Sequence, residues 1–293
     1  MATYTTYHFA GNREDLLELI VNITPTETPM FSGFAKTVAK ATTHEWMQDT
    51  LRAAAMNNVI EGSDATEEAL GARTRVSNFC QLTRGSWKVS KTQEVVDKVG
   101  VTSEYQYQLE KAMKNIARDC EYALINGTGN SGTSAAAREI KSIITFITTN
   151  VTAAGGSVQL TETLYNDNLQ LIFNAGGNPN ITYVGGYNKR KISGFTASVR
   201  RNIEASNKKL IASIEIYESD FGMQTLMISR FVTATTVLML ERDKWRIAML
   251  RPVEATELAP LGSARKGMVE AEWTLEALHE GSSGIITGLA SAA

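Results

Sequence analysis

Apolar residues recur three and four positions apart through residues 101–126, the longest segment of the chain with one uninterrupted period. This spacing predicts an α-helix with one apolar stripe, made up of Leu109, Ala112, Met113, Ile116, Cys120, Ala123 and Leu124. Ser103 with Gln106 predicts the N-terminal cap, and Gly127 predicts the end of the helix. Its charged residues, Glu121 among them, fall mostly off the stripe and are expected at the surface. At about 1.5 Å per residue the helix would be roughly 39 Å long, so we expect it to be a spine for other elements.

Two extended segments precede this helix. Residues 42–51 alternate between polar and apolar side chains, and residues 71–99 are rich in β-branched and aromatic side chains. Between them, residues 53–70 are small and acidic, with a turn predicted at Glu61-Gly62. The pattern predicts a long β-hairpin. Because a hairpin of this kind has too little core to be stable alone, we expect it to lie on another surface, such as that of a neighbouring chain.

The N-terminal region predicts a short helix at residues 13–21 and then an extended arm. Pro25 and Pro29 restrict the backbone between them and exclude it from a helix or a central strand. Met30 and Phe31 follow as apolar anchors. These features are typical of an arm lying over another surface, or equally of a structured linker.

After the spine helix the pattern predicts short elements joined by turns. A helix over 161–174 is capped by Thr161 and stopped at Gly176-Gly177, and residues 188–205 predict a basic helical stretch interrupted at Gly194. Residues 140–147 fit either a helix or a strand. Strands are predicted at 181–184, 211–217, 225–228, 237–240, 245–250, 267–278 and 285–289. This order predicts an α+β fold with antiparallel pairs and no sustained βαβ alternation.

Composition describes an ordinary soluble protein. The chain has 293 residues, of which 43% are hydrophobic and 20% charged, and no apolar run approaches the roughly 18 residues that a membrane helix needs. The N-terminus lacks the basic start of a signal peptide. We therefore expect synthesis in a cytoplasm, no membrane partner, and reduced, partly buried thiols at Cys80 and Cys120.

Charge is unevenly distributed. Residues 181–213 contain seven Lys and Arg against one Glu, whereas residues 214–293 contain eleven acids and seven bases. The asymmetry predicts complementary surfaces within or between subunits, or a face turned toward a polyanion. Because only Tyr187 and Phe195 could stack on bases nearby, a solvated helix or a contact with acids of a neighbour is favoured over nucleic-acid recognition. The predicted basic interface or interior face consists of Lys189, Arg190, Lys191, Arg200 and Arg201.

The sequence predicts no catalytic, cofactor-binding or metal-binding residue. Gly127, Gly129 and Gly132 form a literal G-x-G-x-x-G, but it follows a helix instead of a strand, so we interpret it as a turn. His8, His44 and His279 lack ligand spacing. The acid pairs Glu67-Glu68 and Glu270/Glu272 resemble a carboxylate dyad only in sequence, since adjacent residues point apart and i, i+2 residues line a strand edge. We therefore predict a protein that is not an enzyme, with a composite site from distant residues as the alternative.

The order of these parts resembles the major capsid proteins of tailed bacteriophages, which have the Hong Kong 97 fold. Short sequence motifs add to the resemblance: Pro25-Thr26-Glu27-Thr28-Pro29-Met30-Phe31, Glu45-Trp46 with Asp49 and Leu51, Glu61-Gly62, Arg75 with Asn78 and Gln81, Val89-Ser90-Lys91-Thr92-Gln93, Ser219-Asp220-Phe221-Gly222 and Leu250-Arg251-Pro252. The resemblance covers nearly the whole chain. It implies an N-terminal arm at 1–41, an extended E-loop hairpin at 42–99, a peripheral domain at 100–135 and 246–293 with the spine helix at 101–126, and an axial domain at 136–245.

The resemblance also implies a function. Family members assemble as hexamers and pentamers in an icosahedral shell around double-stranded DNA, so we expect this chain to form a virion shell, assembled in the host bacterial cytoplasm without a catalytic step. Expected partners are other copies of the chain, a portal, a scaffold or decoration protein, and non-specific contact with the packaged DNA. A separate scaffold is expected because few residues precede the arm, unless the chain is already trimmed. A tail-tube or head-decoration protein is the alternative within phages.

Five charged residues of the hairpin region are candidate inter-subunit contacts under this interpretation. They are Glu67, Glu68, Arg73, Arg75 and Arg84. A hairpin that depends on a neighbour for its buried face would place such residues where opposite charges from two subunits meet.

Overall fold

The computed structural model describes residues 26–65, 67, 71–96, 100–195, 215–260 and 262–291. The helix predicted at 13–21 and most of the strand predicted at 211–217 lie outside these ranges. The helices are α1 (Pro29–Gly33), α2 (Lys91–Val95), α3 (Glu104–Asn126), α4 (Ile143–Phe146), α5 (Glu162–Asn174) and α6 (Gly186–Phe195). The strands are β1 (Ala35–Val38), β2 (Thr43–Gln48), β3 (Thr74–Phe79), β4 (Gln81–Ser90), β5 (Thr128–Asn130), β6 (Glu139–Lys141), β7 (Val151–Val158), β8 (Ile181–Val184), β9 (Ile216–Ser219), β10 (Gly222–Ile228), β11 (Val237–Leu240), β12 (Trp245–Leu258), β13 (Ala264–Ala277) and β14 (Gly284–Leu289).

The strands form a mixed α+β architecture, as the sequence predicts. A four-stranded sheet has the order β1-β12-β13-β4, and a six-stranded sheet has the order β7-β14-β11-β8-β10-β9. Two-stranded pairs β2-β3 and β5-β6 complete the set. The expectation of antiparallel pairing holds only in part, because β1 with β12, β8 with β10, and β7 with β14 are parallel.

Contacts divide the chain into two compact units. The larger unit contains Glu27–Thr83, Ala117–Glu254 and Glu270–Ala293. Its main hydrophobic cluster joins α5 and α6 to one face of the six-stranded sheet, through residues such as Tyr165, Leu169, Ile192, Val184 and Met239. Thr161 caps α5 by accepting a hydrogen bond from Leu164 N, and Gly176 follows the helix with φ 84°. The predicted boundaries of this helix are therefore confirmed to within one residue.

The smaller unit includes Arg84–Ile116 and Ala255–Val269. Its aromatic contact joins Trp87 and Tyr105, whose ring centroids are 5.6 Å apart, and Arg265 lies over the Tyr105 ring at 4.2 Å. Gly267 makes this packing possible, since a Cβ at that position would lie 2.4 Å from Trp87 and 2.7 Å from the Tyr105 hydroxyl. A side chain at residue 267 would force the two rings apart.

The predicted spine helix begins at Glu104 and ends at Asn126. Ser103 Oγ accepts from Gln106 N at 3.3 Å, as expected, but a second cap comes from Glu94, whose carboxylate accepts from Glu104 N and Ser103 Oγ. A carboxylate suits this position because free backbone N–H groups and the helix dipole favour negative charge there. The stripe is buried from Ile116 onward, whereas Met113 is exposed.

Glu121 corrects the expectation that the charged residues of this helix lie at the surface. Its side chain is fully buried and accepts hydrogen bonds from Met30 N and Phe31 N, the latter at 2.7 Å. The carboxylate thereby holds the first turn of α1. Burial raises the pKa of the Glu121 carboxyl, opposed by the hydrogen bonds from Phe31, Met30 and Ser229. Glu121 is thus a structural anchor for the arm.

Two local predictions are wrong. Pro29 was expected to be excluded from helices, but it is the first residue of α1, where the missing N–H of proline costs nothing and its fixed φ is suitable. Met30 and Phe31 are nevertheless buried, as predicted. Residues 91–95 were expected to be extended but form α2, because Ser90 caps this turn by accepting from Gln93 N.

We predict that Ile116→Asp unfolds or strongly destabilises the subunit, whereas Met113→Asp does not. Ile116 is 2% exposed, so a carboxylate there would be buried without a partner at a cost of about 3 kcal/mol or more. Met113 lies one turn away on the same helix and is exposed, so its change should stay within about 0.5 kcal/mol. Urea unfolding of the unassembled subunit measures both. Equal stability of the two variants would contradict burial of the stripe.

We predict that Glu121→Gln removes a pH-dependent component of stability with an unusual sign. Because burial raises its pKa, folded Glu121 binds a proton more tightly than the unfolded residue, whose pKa is about 4.3. Its contribution to the free energy of unfolding therefore falls as pH rises from that value through the raised pKa, and is greatest at acidic pH. The free energy of unfolding of the wild type, measured by urea unfolding, should rise relative to that of the variant as pH is lowered from 7 to 4. A loss relative to the variant would show that the backbone hydrogen bonds outweigh burial.

Candidate functional site

Strands β2 and β3 form the predicted hairpin, in antiparallel register from Thr43 opposite Phe79 to Gln48 opposite Thr74. One face of its base is fixed to backbone carbonyls at the end of β13 and just beyond it. Trp46 Nε1 donates to Ala277 O at 2.9 Å, and Gln48 Nε2 donates to Leu278 O at 2.7 Å. Asn78 Nδ2 donates to Leu275 O at 2.8 Å. The base of the hairpin therefore lies on its own chain, which corrects the expectation that the whole hairpin depends on another surface.

Beyond Gln48 and Thr74 the described residues of the hairpin have no helix or strand. The predicted turn at Glu61-Gly62 is confirmed, since Ser63 N donates to Ile60 O and Gly62 has φ 84°. Four large apolar side chains of this segment are between 81% and 98% exposed: Leu51, Met56, Val59 and Ile60. We call this set the apolar tip. Among the residues that the structure describes, none covers these four side chains.

The candidate contact residues of the hairpin have different surroundings. Arg75 pairs with Glu45 at 3.3 Å, and Arg73 pairs with Asp49 at 3.2 Å, both between exposed side chains of the two arms. The acid partners within the chain were not predicted. The cross-strand register explains the first pair, because Arg75 lies opposite Met47 and Glu45 lies opposite Ser77. The two side chains are therefore diagonal neighbours, two positions apart, on one face of the hairpin.

For the remaining three candidates the structure gives at most their exposure. Glu67 is exposed, Glu68 lies outside the described residues, and Arg84 is exposed on β4. The structure therefore brings two of the predicted arginines together with acids of their own chain and leaves all five as candidates for contact with a neighbour.

The predicted basic face is smaller than expected. Lys189 is only 7% exposed, and burial lowers the pKa of its ammonium group, opposed by Glu215. It therefore does not belong to a surface patch. Arg190 is exposed, and Lys191 Nζ donates to Gln159 Oε1 at 2.7 Å. Arg200 and Arg201 lie outside the described residues.

The acid pair Glu270/Glu272 was expected on a solvated edge, but Glu272 is buried. Arg138 and Arg251 both donate to the Glu272 carboxylate, and Arg251 also reaches Glu270 at 3.5 Å. Arg138 Nε donates to Cys80 O at 3.0 Å as well. Two guanidinium partners satisfy the oxygens of the buried carboxylate, so this cluster ties β12 and β13 to the loop before β6.

Neither cysteine has the environment of a nucleophile. Burial raises the pKa of Cys80 to about 11, with Glu272 adding to the effect, and burial raises the pKa of Cys120 to about 12. A thiol in such surroundings stays protonated and inert near neutral pH. Both are free cysteines, as the sequence predicts.

The glycine-rich segment is part of a small hairpin. Residues 128–130 form β5, paired with β6, and the next element after Gly132 is the strand β6 and not a helix. The adjoining concavity, about 450 Å³, is lined by Leu82, Ser131, Gly132, Thr133, Ala136, Ala137 and Arg138. Such a lining has no acid–base pair, and the segment lacks the strand–turn–helix context of a phosphate loop.

Among the residues that the structure describes, no cluster of three or more His, Cys, Asp or Glu side chains has the arrangement of a metal site. Within the same residues, no helix has the length and apolar character needed to cross a bilayer.

Sequence reasoning missed the residues that fix the hairpin and the arm. Trp46, Gln48 and Asn78 alternate on the inner face of the hairpin, and this period of two was visible in the sequence. Their backbone acceptors were not, because any residue presents a carbonyl. Glu121 gave no signal that separates it from a surface acid of an amphipathic helix.

Comparison with known proteins agrees with this architecture. The sequence profile of the SU10 major capsid protein family matches residues 3–290. The major capsid protein of Escherichia phage Phieco32 is 24% identical over 338 aligned positions, which cover 97% of this chain and 96% of that protein.

Solved structures show the same fold at low identity. The capsid asymmetric unit of cyanophage A-1(L) superposes with a TM-score of 0.75 at 12% identity, covering 98% of this chain and 99% of the other. The capsid of a native GTA particle gives 0.67 at 10% identity, with 97% of each chain covered. The encapsulin SrpI of Synechococcus elongatus gives 0.62 at 10% identity, covering 100% of this chain and 98% of the other. The fold is therefore of the Hong Kong 97 type, and the profile match over nearly the whole sequence shows that the chain belongs to the SU10 major capsid protein family.

Proposed function

We propose that this major capsid protein self-assembles into hexamers and pentamers of an icosahedral phage head that encloses double-stranded DNA. The observation that carries the proposal is the apolar tip, with Leu51, Met56, Val59 and Ile60 almost fully exposed. Complete burial of one such side chain is worth about 1.5 to 3 kcal/mol. Four of them on one segment give a strong drive toward association with another surface.

The hairpin supports this proposal through its division into two parts. Trp46 and Gln48 fix its base to the subunit, whereas the apolar side chains of the tip are exposed beyond this anchor. A fixed base directs the tip, and an uncovered tip requires a partner. Another copy of the chain is the partner that a shell of identical subunits supplies.

The parts of the subunit follow the family plan under this proposal. Residues 1–41 are the N-terminal arm, 42–99 the E-loop, 100–135 and 246–293 the peripheral domain, and 136–245 the axial domain. The buried bonds from Met30 and Phe31 to Glu121 support an arm that is held where it leaves the subunit. The long helix Glu104–Asn126 supports the assignment of a spine helix to the peripheral domain.

The proposed role has no catalytic step. The two thiols have raised pKa values, and the buried carboxylate Glu272 is committed to two arginines. These groups stabilise the fold. The proposal includes a portal, a scaffold or decoration protein and the packaged DNA as partners, and assembly in the host bacterial cytoplasm.

Electron microscopy of the overexpressed protein tests the proposal, with closed shells or curved hexameric sheets as the expected result. Rings or tubes would instead indicate a tail-tube or decoration protein, and discrete small particles would indicate a soluble enzyme. Each of these two outcomes would overturn the proposed function.

We predict that Val59→Asp reduces the yield of shells by about tenfold or more, since each 1.4 kcal/mol of lost contact energy is a factor of ten. The unfolding of the unassembled subunit should be unchanged, because Val59 is 81% exposed. Asn58→Asp is the matched control: it adds the same charge to the neighbouring exposed residue without removing an apolar side chain. If Val59→Asp assembles as well as Asn58→Asp, the apolar tip is not a contact.

We predict that Arg75→Glu lowers shell yield and that Glu45→Arg in the same chain does not rescue it. The double variant restores the ion pair between residues 45 and 75 within the chain but reverses the charge presented to a neighbour. Sedimentation of assembled shells measures the yield. A double variant that assembles like the wild type would show that Arg75 acts only within its own subunit.

A further inference from the structure

Strand β4 lies at the end of the four-stranded sheet. In the order β1-β12-β13-β4, β13 is the only strand beside it among the described residues. β4 has ten residues and contains no proline, whereas a typical strand has about five or six residues. One side of β4 therefore presents backbone N–H and C=O groups to which no described strand is paired. An open edge of this length can pair with an extended segment of another chain.

Two contacts show which residues of β4 bond to β13. Lys91, directly after β4, donates its backbone N–H to the carbonyl of Ser263, directly before β13, at 3.1 Å. A Cβ at Gly267 would lie 2.4 Å from the Trp87 ring, so Trp87 and Gly267 are cross-strand neighbours. Because backbone groups point alternately to the two sides of a strand, the odd-numbered residues of β4 bond to β13. The even-numbered residues point their N–H and C=O groups to the open edge.

Burial along β4 agrees with this assignment. The side chains of Arg84, Ser86 and Lys88 are exposed, and the residues between them are covered. A Cβ at Gly85 would lie 3.6 Å from Ile116, so the covered face packs on α3. The alternation is unbroken over the whole strand, which excludes a bulge that would shift the backbone pattern. We call the backbone groups of Arg84, Ser86 and Lys88 the open edge of β4.

The open edge of β4 is basic. Arg84 and Lys88 are both exposed, and the strand has no acidic residue. Pairing of two β4 edges from two copies would bring like charges together, which destabilises a strand pair. An acidic segment is favoured instead, because opposite charges then meet at the contact.

The segment of the apolar tip has the complementary properties. Residues 53–59 are exposed and have neither helix nor strand. Within the described part of the chain, none of their backbone N–H groups donates to a backbone carbonyl. Three exposed acids follow this segment, Glu61, Asp64 and Glu67. The tip therefore combines backbone groups that are available for pairing with negative charge and apolar side chains.

We infer that residues 56–60 of a second copy of this chain add as a strand to the open edge of β4. The five residues match the span from Arg84 to Lys88 in length. Glu61 then lies next to Arg84 if the two strands are antiparallel, and next to Lys88 if they are parallel. The two surfaces differ, so the contact is head-to-tail and can be repeated from subunit to subunit. The inference rests on the proposed function, since it names the surface that receives the tip within a shell.

Hydrogen exchange of the wild-type protein, read at single residues by fragmentation mass spectrometry, tests the pairing directly. The amides of Ser86 and Lys88 should exchange about tenfold more slowly, or slower still, in shells than in the unassembled subunit. Alternate amides within residues 56–60 should be slowed in the same way. The amide of Trp87 is the internal reference, because it bonds to β13 in both states. Equal exchange of Ser86 and Lys88 in subunit and shell would overturn the inference.

The backbone contact is tested with Ser86→Pro, which should lower the yield of shells by about tenfold. Proline at residue 86 removes an N–H from the open edge and leaves the bonds to β13 in place, and edge strands tolerate proline in this orientation. Ser86→Ala is the matched control, since it removes the hydroxyl and keeps the N–H. Urea unfolding of both unassembled variants should match the wild type. Wild-type shell yield from folded Ser86→Pro would contradict the strand pairing.

Charge reversal provides a second test if proline disturbs β4 itself. Glu61→Lys should lower the yield of shells. Its combination with either Arg84→Glu or Lys88→Glu should recover about half or more of the wild-type yield, because opposite charges meet again across the contact. The combination that recovers identifies the strand direction. Recovery in neither combination would overturn the inference.

The two proposals fail in different ways. Wild-type protein that forms no shells would reject the proposed function itself. Normal wild-type shells in which Ser86 and Lys88 exchange as in the unassembled subunit would reject this inference alone.

Discussion

The hydrogen bonds between the hairpin base and the backbone at the end of β13 determine which surfaces of the hairpin are free for contact with another molecule. Trp46, Gln48 and Asn78 donate to three carbonyls in the segment 275–278. Since side chains alternate along β2 and β3, these bonds fix the register and thereby which side chains point outward. The direction of the exposed tip follows from them.

The same logic applies to the N-terminal arm. A short helix such as α1 has almost no stability of its own, and it persists because Glu121 accepts the bonds of its first N–H groups while Met30 and Phe31 are buried. The hairpin is likewise fixed at its base, whereas the side chains of the apolar tip beyond it are exposed. This arrangement combines a firmly held base with a segment that can reach a neighbour.

Periodicity predicted the long helix, the capped helix α5 and most strands, because these elements bury one face and the chain shows it. The pairing partners of the strands could not be predicted from the sequence. The parallel pairs of β1 with β12 and of β7 with β14 join distant segments, and no local pattern encodes them. Buried charges were predicted worst. Glu121, Lys189 and Glu272 have the residue types of a surface, and only tertiary contacts supply the partners that allow their burial. The candidate contact residues could be named from the sequence because charge and exposure are local properties. Their partners could not be named, because these depend on the tertiary structure.

One consequence of the hairpin anchor concerns how such a chain can diverge in sequence. The acceptors at residues 275–278 are main-chain carbonyls, which every amino acid provides. Substitution at Ala277 or Leu278 therefore changes the local packing but leaves the acceptor atoms in place. Only the donor side requires particular side chains. An anchor that uses main-chain acceptors keeps the geometry of the subunit when most of the surrounding residues are substituted. Shell contacts can therefore be retained while the sequence around them changes.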